Sequence, residues 1–402
     1  MATRAARERA KRSRLRLSAT EADAESDALA RAMTRAPSFP LHDARTRLPA
    51  HGVRDEIVRL MDNASAAAII TGETGSGKTT QAPQYALERE IARGAGGRCN
   101  IIVAQPRRVA AVSIASRVAE ERDERVGDVV GYAVRGDSKT SRRTRLTFVT
   151  TGVLLRRLAS DPTLEGVTHV FVDEVHERTA DADFLLIHLR DILRANARDV
   201  DASQRDTWRP PLRVALMSAT ADWEKLAAYF DGASIDSAPP PGRVHIPGRT
   251  FPVEEHFAEE FVKRGGGRRA VTGGPTSSFD NVRGPRGGPR PPPGVDYDLL
   301  LAVVRTICTI CAKGETEPPP CEGAILVFLP GAAEIAEAEK ALLKRLGGDH
   351  EMYVVPLHGQ LTPKEQQRAF AKPPDRDARK IVLATNVAET SLTIPDVVYV
   401  VD

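Results

Sequence analysis

The stretch richest in chemistry is "GETGSGKTT", Gly72–Thr80, directly after the apolar run Ala66–Thr71. It fits GxxxxGK[ST] through Gly72, Gly77, Lys78 and Thr79. Glycines let main-chain N–H groups curl around phosphate oxygens, and the positive end of a following helix strengthens that field. A lysine at this position reaches β- and γ-phosphates, and the next hydroxyl ligates Mg²⁺. Gly72, Glu73, Thr74, Gly75, Ser76, Gly77, Lys78, Thr79 and Thr80 are therefore the expected nucleotide-binding residues.

A second group follows the apolar run of "HVFVDEVHER", His169–Arg178. In an open parallel sheet, ligands bind beyond the carboxyl ends of the strands. Asp173 is then placed to hold Mg²⁺ with Thr79, while Glu174 faces the γ-phosphate and can deprotonate an attacking water. Glu174 is also a candidate metal neighbour. Alone, such an acid pair is a solvated turn; downstream of a phosphate loop it completes a nucleotide site. "MSAT", Met217–Thr220, adds small hydroxyls at Ser218 and Thr220 after another apolar run. On their own, such residues cap the next helix.

Elements must hold these residues. "AAAIITG", "NIIVAQ", "LTFVT", "HVFVD" and "RVALMS" are short, apolar and non-alternating, as strands buried on both faces of a parallel sheet are. Helical stretches between them predict βαβ crossovers. The pattern resumes in "AILVFLP", "YVVPLH", "KIVLAT" and "DVVYVV". The last of these reads as a buried strand. Two α/β units in tandem follow.

Two segments break this texture. Arg4, Arg7, Arg9, Lys11, Arg12, Arg14 and Arg16 stand against Glu8 alone. That run fits an organelle transit peptide, a nuclear signal, an RNA-contacting arm or a plain solvated tail. Lys263–Gly294, rich in Gly, Arg and Pro, cannot bury enough apolar surface to fold and reads as a linker, with RNA contact as an added role. The expected division is a basic, disordered extension over 1–45, a first domain over 46–255, a linker over 256–294 and a second, partial domain over 295–402.

At 402 residues the chain suits roughly two to three domains of about 150 residues. With 41% hydrophobic and 28% charged residues, wholesale disorder is excluded. A net charge of +3 says little about partners. No run approaches the about 18 apolar residues of a membrane span, and no apolar signal-peptide core begins the chain. The expected location is intracellular, in nucleus or cytoplasm, with an organelle open from the basic terminus. Cys308 and Cys311 form a CxxC inside the helical pattern "YDLLLAVVRTICTICAK" with no further ligand nearby, so both read as core residues rather than a zinc or redox pair.

Taken together, the motifs resemble those of superfamily 2 helicases of the DEAH-box (DExH) type. "GETGSGKTTQ" resembles motif I, "QPRRVAA" (Gln105–Ala111) motif Ia, "TTGVLLRRL" (Thr150–Leu158) motif Ib, "DEVHER" motif II, "SAT" motif III, "LVFLPG" (Leu326–Gly331) motif IV and "ATNVAETSLTIPDV" (Ala384–Val397) motif V. The resemblance implies two RecA-like domains with parallel sheets, ATP or another NTP with Mg²⁺ between them, and a single RNA strand as track. It places Arg107, Arg108, Arg135, Thr151, Gly152, Gly331, Thr385 and Asn386 at RNA, mostly at the backbone, which confers little sequence specificity. It places Arg117 on the nucleotide base, Ser391 and Thr393 near the nucleotide, and His176 as a polar link between the nucleotide site and the second domain.

"DEVHER", "GRTFPVEEHF" (Gly248–Phe257) and "DYDLLLAVVRTI" resemble the branch of RNA helicase A-like and G-quadruplex-resolving enzymes. That implies structured RNA, or G-rich nucleic acid, as substrate; an activating protein partner is left open. Three departures stand out: Val175 where the family name has Ala, Pro395 ahead of Asp396 after "SLTI", and no QRxGRxGR motif VI before Asp402. Motif VI supplies arginine fingers, which are worth about 10³–10⁵ in rate. The expectation is thus an RNA helicase core whose second domain is incomplete. The alternatives are a nucleotide-gated RNA clamp without unwinding, and a different phosphate-loop enzyme such as a kinase, against which motifs Ia, Ib, IV and V argue.

Overall fold

The computed structural model describes residues 17–35, 38–63, 67–198, 212–219, 222–231, 241–248, 252–258, 294–313, 323–346, 352–375, 378–388, 394 and 396–402. They fall into two compact units, Met1–Thr250 and Phe251–Asp402. The division comes a few residues before the expected 255, because 252–258 are exposed and join no sheet. The Gly/Arg/Pro-rich stretch 259–293 lies outside the described residues.

The first unit is built on eight strands in the order β4-β3-β5-β2-β6-β7-β1-β8. They are β1 (Ala67–Gly72), β2 (Ile101–Gln105), β3 (Val130–Val134), β4 (Asp137–Lys139), β5 (Leu146–Thr150), β6 (His169–Val172), β7 (Arg213–Ser218) and β8 (Arg243–Ile246). All neighbours run parallel except the β3–β4 pair. β1, β2 and β6 are buried along their whole length, as their unbroken apolar runs require. β3, β4 and β8 carry no unbroken apolar run that marks them as strands in the sequence. β8 is an edge strand whose residues alternate exposed and buried, so it carries no apolar run to read.

The helices of this unit are α1 (Ala19–Thr34), α2 (His42–Thr46), α3 (Arg54–Asn63), α4 (Lys78–Ala92), α5 (Arg108–Glu121), α6 (Thr151–Leu158), α7 (Ala180–Arg198) and α8 (Trp223–Asp231). The apolar sides of α6, α7 and α8 meet one sheet face in a cluster that includes Leu154, Leu185, Leu189 and Phe230. Val175 is buried in the same cluster, so the branched residue that departs from the family name has a packing role.

α1 corrects the expectation of a disordered extension over 1–45. The basic run stops at Arg16; from Ser18 on, acids alternate with small apolar residues at helical spacing. Ser18 and Glu21 form a reciprocal capping box. Ala22, Ser26 and Leu29 are buried one turn apart. The Gly97 amide donates to Ser26 Oγ at 2.8 Å. Arg142 pairs with Glu21 at 2.9 Å, Arg143 with Glu25 at 3.1 Å, and Arg98 with Asp23. A Cβ on Gly97 would strike the Ala22 carbonyl, so only glycine lets the two backbones meet. Gly97→Val should release α1, read as faster amide exchange across 19–34 while β1 and β2 stay protected.

The second unit has strands β9 (Ala324–Phe328), β10 (Met352–Leu357), β11 (Arg379–Ala384) and β12 (Val397–Val401), all parallel, in the order β10-β11-β9-β12. α9 (Tyr297–Lys313) and α10 (Ala332–Leu346) cover one face through Val304, Ile307, Ile335 and Leu342. Cys308 is buried in that cluster as a core residue; the Cys311 side chain lies outside the described residues. Among the described residues β12 lies at the edge of the sheet, whereas its run of valines suggested a buried strand. Val398 and Val400 are 54% and 60% exposed because their side chains point off the sheet face that α9 and α10 cover. Lys380, nearly fully buried, is neutralised by Asp396 at 2.9 Å. Among the described residues, no helix is long and apolar enough to cross a membrane.

His169 opens β6, beside Arg213 of β7. Burial first, then the Arg213 and Arg93 guanidiniums, push its imidazole from 6.5 down to about 3. The folded state keeps it neutral, whereas the unfolded chain protonates it near 6.5. Its contribution is therefore intact above about pH 6.5 and is lost as pH falls through that value toward 3. At pH 5 the loss should be about 2 kcal/mol. In urea titrations at pH 7 and pH 5, His169→Gln should remove about that much of the pH-dependent difference; an undiminished difference would reject the assignment.

Candidate active site

The phosphate loop begins where β1 ends. Gly75 and Gly77 have φ of +80° and +88°, a region L side chains rarely adopt, and Gly77 caps α4. The position a Cβ on Gly75 would take has no neighbour within 4 Å, leaving room above the loop. Glu73 and Thr74 are exposed, while Ser76 Oγ is buried with no hydrogen-bond partner among the described residues. An orphaned hydroxyl beside an open ring of amides suits an anion such as a phosphate.

Strand order brings the second set of residues to this loop. β1 and β6 flank β7: Thr71 lies beside Ser218, and Val172, the end of β6, beside Leu216. Thr79 Oγ1 donates to Asp173 Oδ2 at 2.6 Å. Lys78 Nζ stands 3.9 Å from Glu174 Oε1. Lys78, Asp173 and Glu174 are only 4%, 2% and 5% exposed, so each buried charge depends on these partners. Glu174 has φ +54°, left-handed for a side chain, and its amide donates to Asp173 Oδ1 at 2.9 Å. That tight turn points the two carboxylates apart: Asp173 toward Thr79, Glu174 toward Lys78 and His176.

His176 Nδ1 lies 3.2 Å from Ser218 Oγ and 3.5 Å from Glu174 Oε2. Burial first, and then Lys78, lower its pKa from 6.5, so at neutral pH it is a neutral bridge from Glu174 to the tip of β7. Thr220 lies outside the described residues. Thr79 and Asp173 fit an Mg²⁺ site: a hydroxyl and a carboxylate meet beside the phosphate loop. Among the described residues, no cluster of three or more His, Cys, Asp or Glu side chains could cage a metal. That agrees with an ion held by one or two protein groups plus phosphate and water.

The expected RNA residues fall in both units, and those of the first lie near the ends of β2, β3 and β5. Arg107 caps α5 and pairs with Glu177 at 3.6 Å; Arg108 and Arg135 are exposed, Arg135 at the turn between β3 and β4. The Thr151 hydroxyl does not face outward: it donates to the Gln105 carbonyl at 3.1 Å. Gly152 packs near Asp181. In the second unit, Gly331, Thr385 and Asn386 follow the carboxyl ends of β9 and β11, and the Thr385 amide donates to Leu357 O at 3.1 Å. Ser391 and Thr393 lie outside the described residues.

Sequence reasoning missed a polar node beneath α4. Glu121 Oε2 accepts from Gln81 and Gln84, both at 2.8 Å, and its Oε1 holds Arg117 Nε at 2.9 Å. Arg45 of α2 donates to Gln81 at 2.6 Å and pairs with Glu88 at 2.6 Å. The only signal available was polar residues at i and i+3 on an otherwise buried helix. Glu121→Ala would strand buried amide donors, and urea denaturation should show a loss of roughly 2–3 kcal/mol.

This fold and site define a nucleoside-triphosphate-binding P-loop protein built of two tandem RecA-like units. Residues 54–228 match the DEAD/DEAH box helicase family, and residues 320–402 match the helicase conserved C-terminal domain. The chain is 41% identical to the putative DEAH-box ATP-dependent helicase UM11114 of Mycosarcoma maydis, over 95% of this chain and 25% of that protein. It is 40% identical to the DExH-box ATP-dependent RNA helicase DExH1 of Arabidopsis thaliana, over 89% of this chain and 36% of the relative. It is 39% identical to the human ATP-dependent RNA helicase DHX30, over 90% of this chain and 27% of the relative. The chain belongs to the DExH-box superfamily 2 helicases. It spans between a quarter and just over a third of the length of these relatives.

Proposed function

We propose that this chain is the motor portion of an ATP-dependent RNA helicase, which couples NTP hydrolysis to movement along structured RNA. The observation that carries the reading is the juxtaposition of Lys78–Glu174 and Thr79–Asp173 beside the phosphate loop. Lys78 and the loop amides bind the β- and γ-phosphates. Thr79 and Asp173 hold Mg²⁺, which neutralises charge between the phosphates. Glu174, which stands 3.9 Å from Lys78, takes the proton of the attacking water. His176 relays the placement of Glu174 to Ser218. Arg117, held by Glu121, faces the base.

RNA lies along Arg107, Arg108, Arg135, Thr151 and Gly152, and along Gly331, Thr385 and Asn386 of the second unit. With the Thr151 hydroxyl turned inward, contact there comes from main-chain amides at the start of α6. The resemblance of "GRTFPVEEHF" to the RNA helicase A-like branch supports structured or G-rich nucleic acid as substrate, in nucleus, cytoplasm or, by the basic terminus, an organelle. An activating protein partner belongs to this reading.

The test is steady-state ATP hydrolysis with and without single-stranded RNA. Glu174→Gln should lower turnover by about 10²-fold or more while ATP still binds. Lys78→Ala should lose both. Parent-like hydrolysis by Glu174→Gln would show that another group is the base. A parent that binds nucleotide and RNA yet never turns over would instead be a nucleotide-gated clamp.

A further inference from the structure

Gln105 is the last residue of β2, fully buried between β5 and β6. Its Nε2 donates at 2.9 Å to Asp173 Oδ2, the same oxygen that accepts the Thr79 hydroxyl. The Asp173 carboxylate is thus fixed by three donors from three segments: Thr79 on α4, Gln105 on β2 and the Glu174 amide in its own turn. The Asp173 backbone is tied to β2 as well, its amide donating to Ala104 O at 3.0 Å.

The orientation of the Gln105 amide is dictated by chemistry. An ionised carboxylate only accepts, so the NH₂ end must face Asp173. This leaves Gln105 Oε1 buried with no hydrogen-bond partner among the described residues. A buried, unpaired carbonyl is destabilising, and an apolar residue at the end of a buried strand would avoid that cost. Stability therefore does not account for an amide at this position, whereas orienting Asp173 does.

The main chain of the same residue faces the other way along the sheet edge. The Gln105 carbonyl accepts the hydroxyl of Thr151, the first residue of α6. Two residues on, Arg107 reaches Glu177 in the turn that follows Asp173. One residue thus joins the start of α6 to the carboxylate beside Thr79.

We propose that Gln105 is a positioning residue: it orients the Asp173 carboxylate for Mg²⁺ and ties that orientation to the start of α6. The proposal rests on the reading of Thr79 and Asp173 as the Mg²⁺ site. Groups that orient a metal-holding carboxylate typically contribute 10–100-fold to metal affinity.

The experiment titrates Mg²⁺ into the full chain with a fluorescent ADP analogue, at saturating and at no Mg²⁺, without RNA. Gln105→Met keeps the volume and removes the donor. It should raise the half-saturating Mg²⁺ by about 10-fold or more, while analogue binding in EDTA matches the parent. Thr151→Val should raise the Mg²⁺ requirement in the same direction but less. An unchanged Mg²⁺ requirement in folded Gln105→Met overturns the proposal, as does an equal loss of binding with and without Mg²⁺, the mark of a purely structural role. An unchanged requirement in Thr151→Val overturns the tie to α6. If thermal melting shows that Gln105→Met is unfolded, Gln105→Asn, whose amide falls short of Asp173, takes its place with the same expectations. A parent whose analogue binding never responds to Mg²⁺ would overturn the Mg²⁺ reading itself, a result distinct from a responsive parent with unaffected variants.

Discussion

The pairing of charges at the carboxyl edge of the first sheet is the constraint on which the rest of the unit depends. Lys78, Asp173 and Glu174 are almost wholly removed from water, where an uncompensated charge is prohibitively costly. Each can remain only if its partner is delivered to within a few ångströms. The partners lie far apart in sequence, so the carboxyl ends of β1, β7 and β6 must come together. The parallel registers set Thr71 beside Ser218 and end β6 at Val172, beside Leu216 and two residues short of Ser218, which leaves Asp173 and Glu174 to turn towards α4.

Around this edge, polar contacts run sideways and connect segments with different jobs. His176 links Glu174 to Ser218, so a change at Glu174 is felt at the end of β7. Gln105 links Asp173 to Thr151, and Arg107 links to Glu177. Beneath α4, Glu121 gathers Gln81, Gln84 and Arg117, and Arg45 brings in the segment ahead of β1. Such networks are rigid when satisfied, because in a low-dielectric interior each lost bond leaves an expensive orphan. The phosphate loop therefore sits on a fixed base, while the exposed arginines Arg108 and Arg135 remain at the surface where a polyanion can reach them.

The N-terminal helix shows how small features set a boundary. A capping box, three buried side chains and a single glycine in the facing turn dock Ala19–Thr34 onto the first unit. The acids of this helix then neutralise arginines of the turn after β4. The second unit follows the same logic on a smaller scale, with Asp396 beside the buried Lys380.

Much was decided by the sequence alone. The interior strands β1, β2, β5, β6, β7, β9 and β11 were legible because a strand covered on both faces is largely apolar, and β10 was legible from its apolar run although it lies at a sheet edge among the described residues. Lys78, Thr79, Asp173 and Glu174 were legible because phosphate and metal chemistry demands fixed residue types at fixed local spacing. Only tertiary structure decided the rest. Among the described residues β8 and β12 lie at sheet edges, and an edge is defined by what lies beside it. The docking of α1 depends on Gly97, far along the chain. Gln105 and Glu177 lie inside motif-like stretches that assign them no role, and Glu121 carries no local signature, since a glutamine or glutamate acquires its role from the carboxylate, amide or guanidinium that folding places against it. The type of each candidate site residue could be read from the sequence, but its partner could not: contacts between residues distant in the chain are set by strand order, and strand order is not a local property.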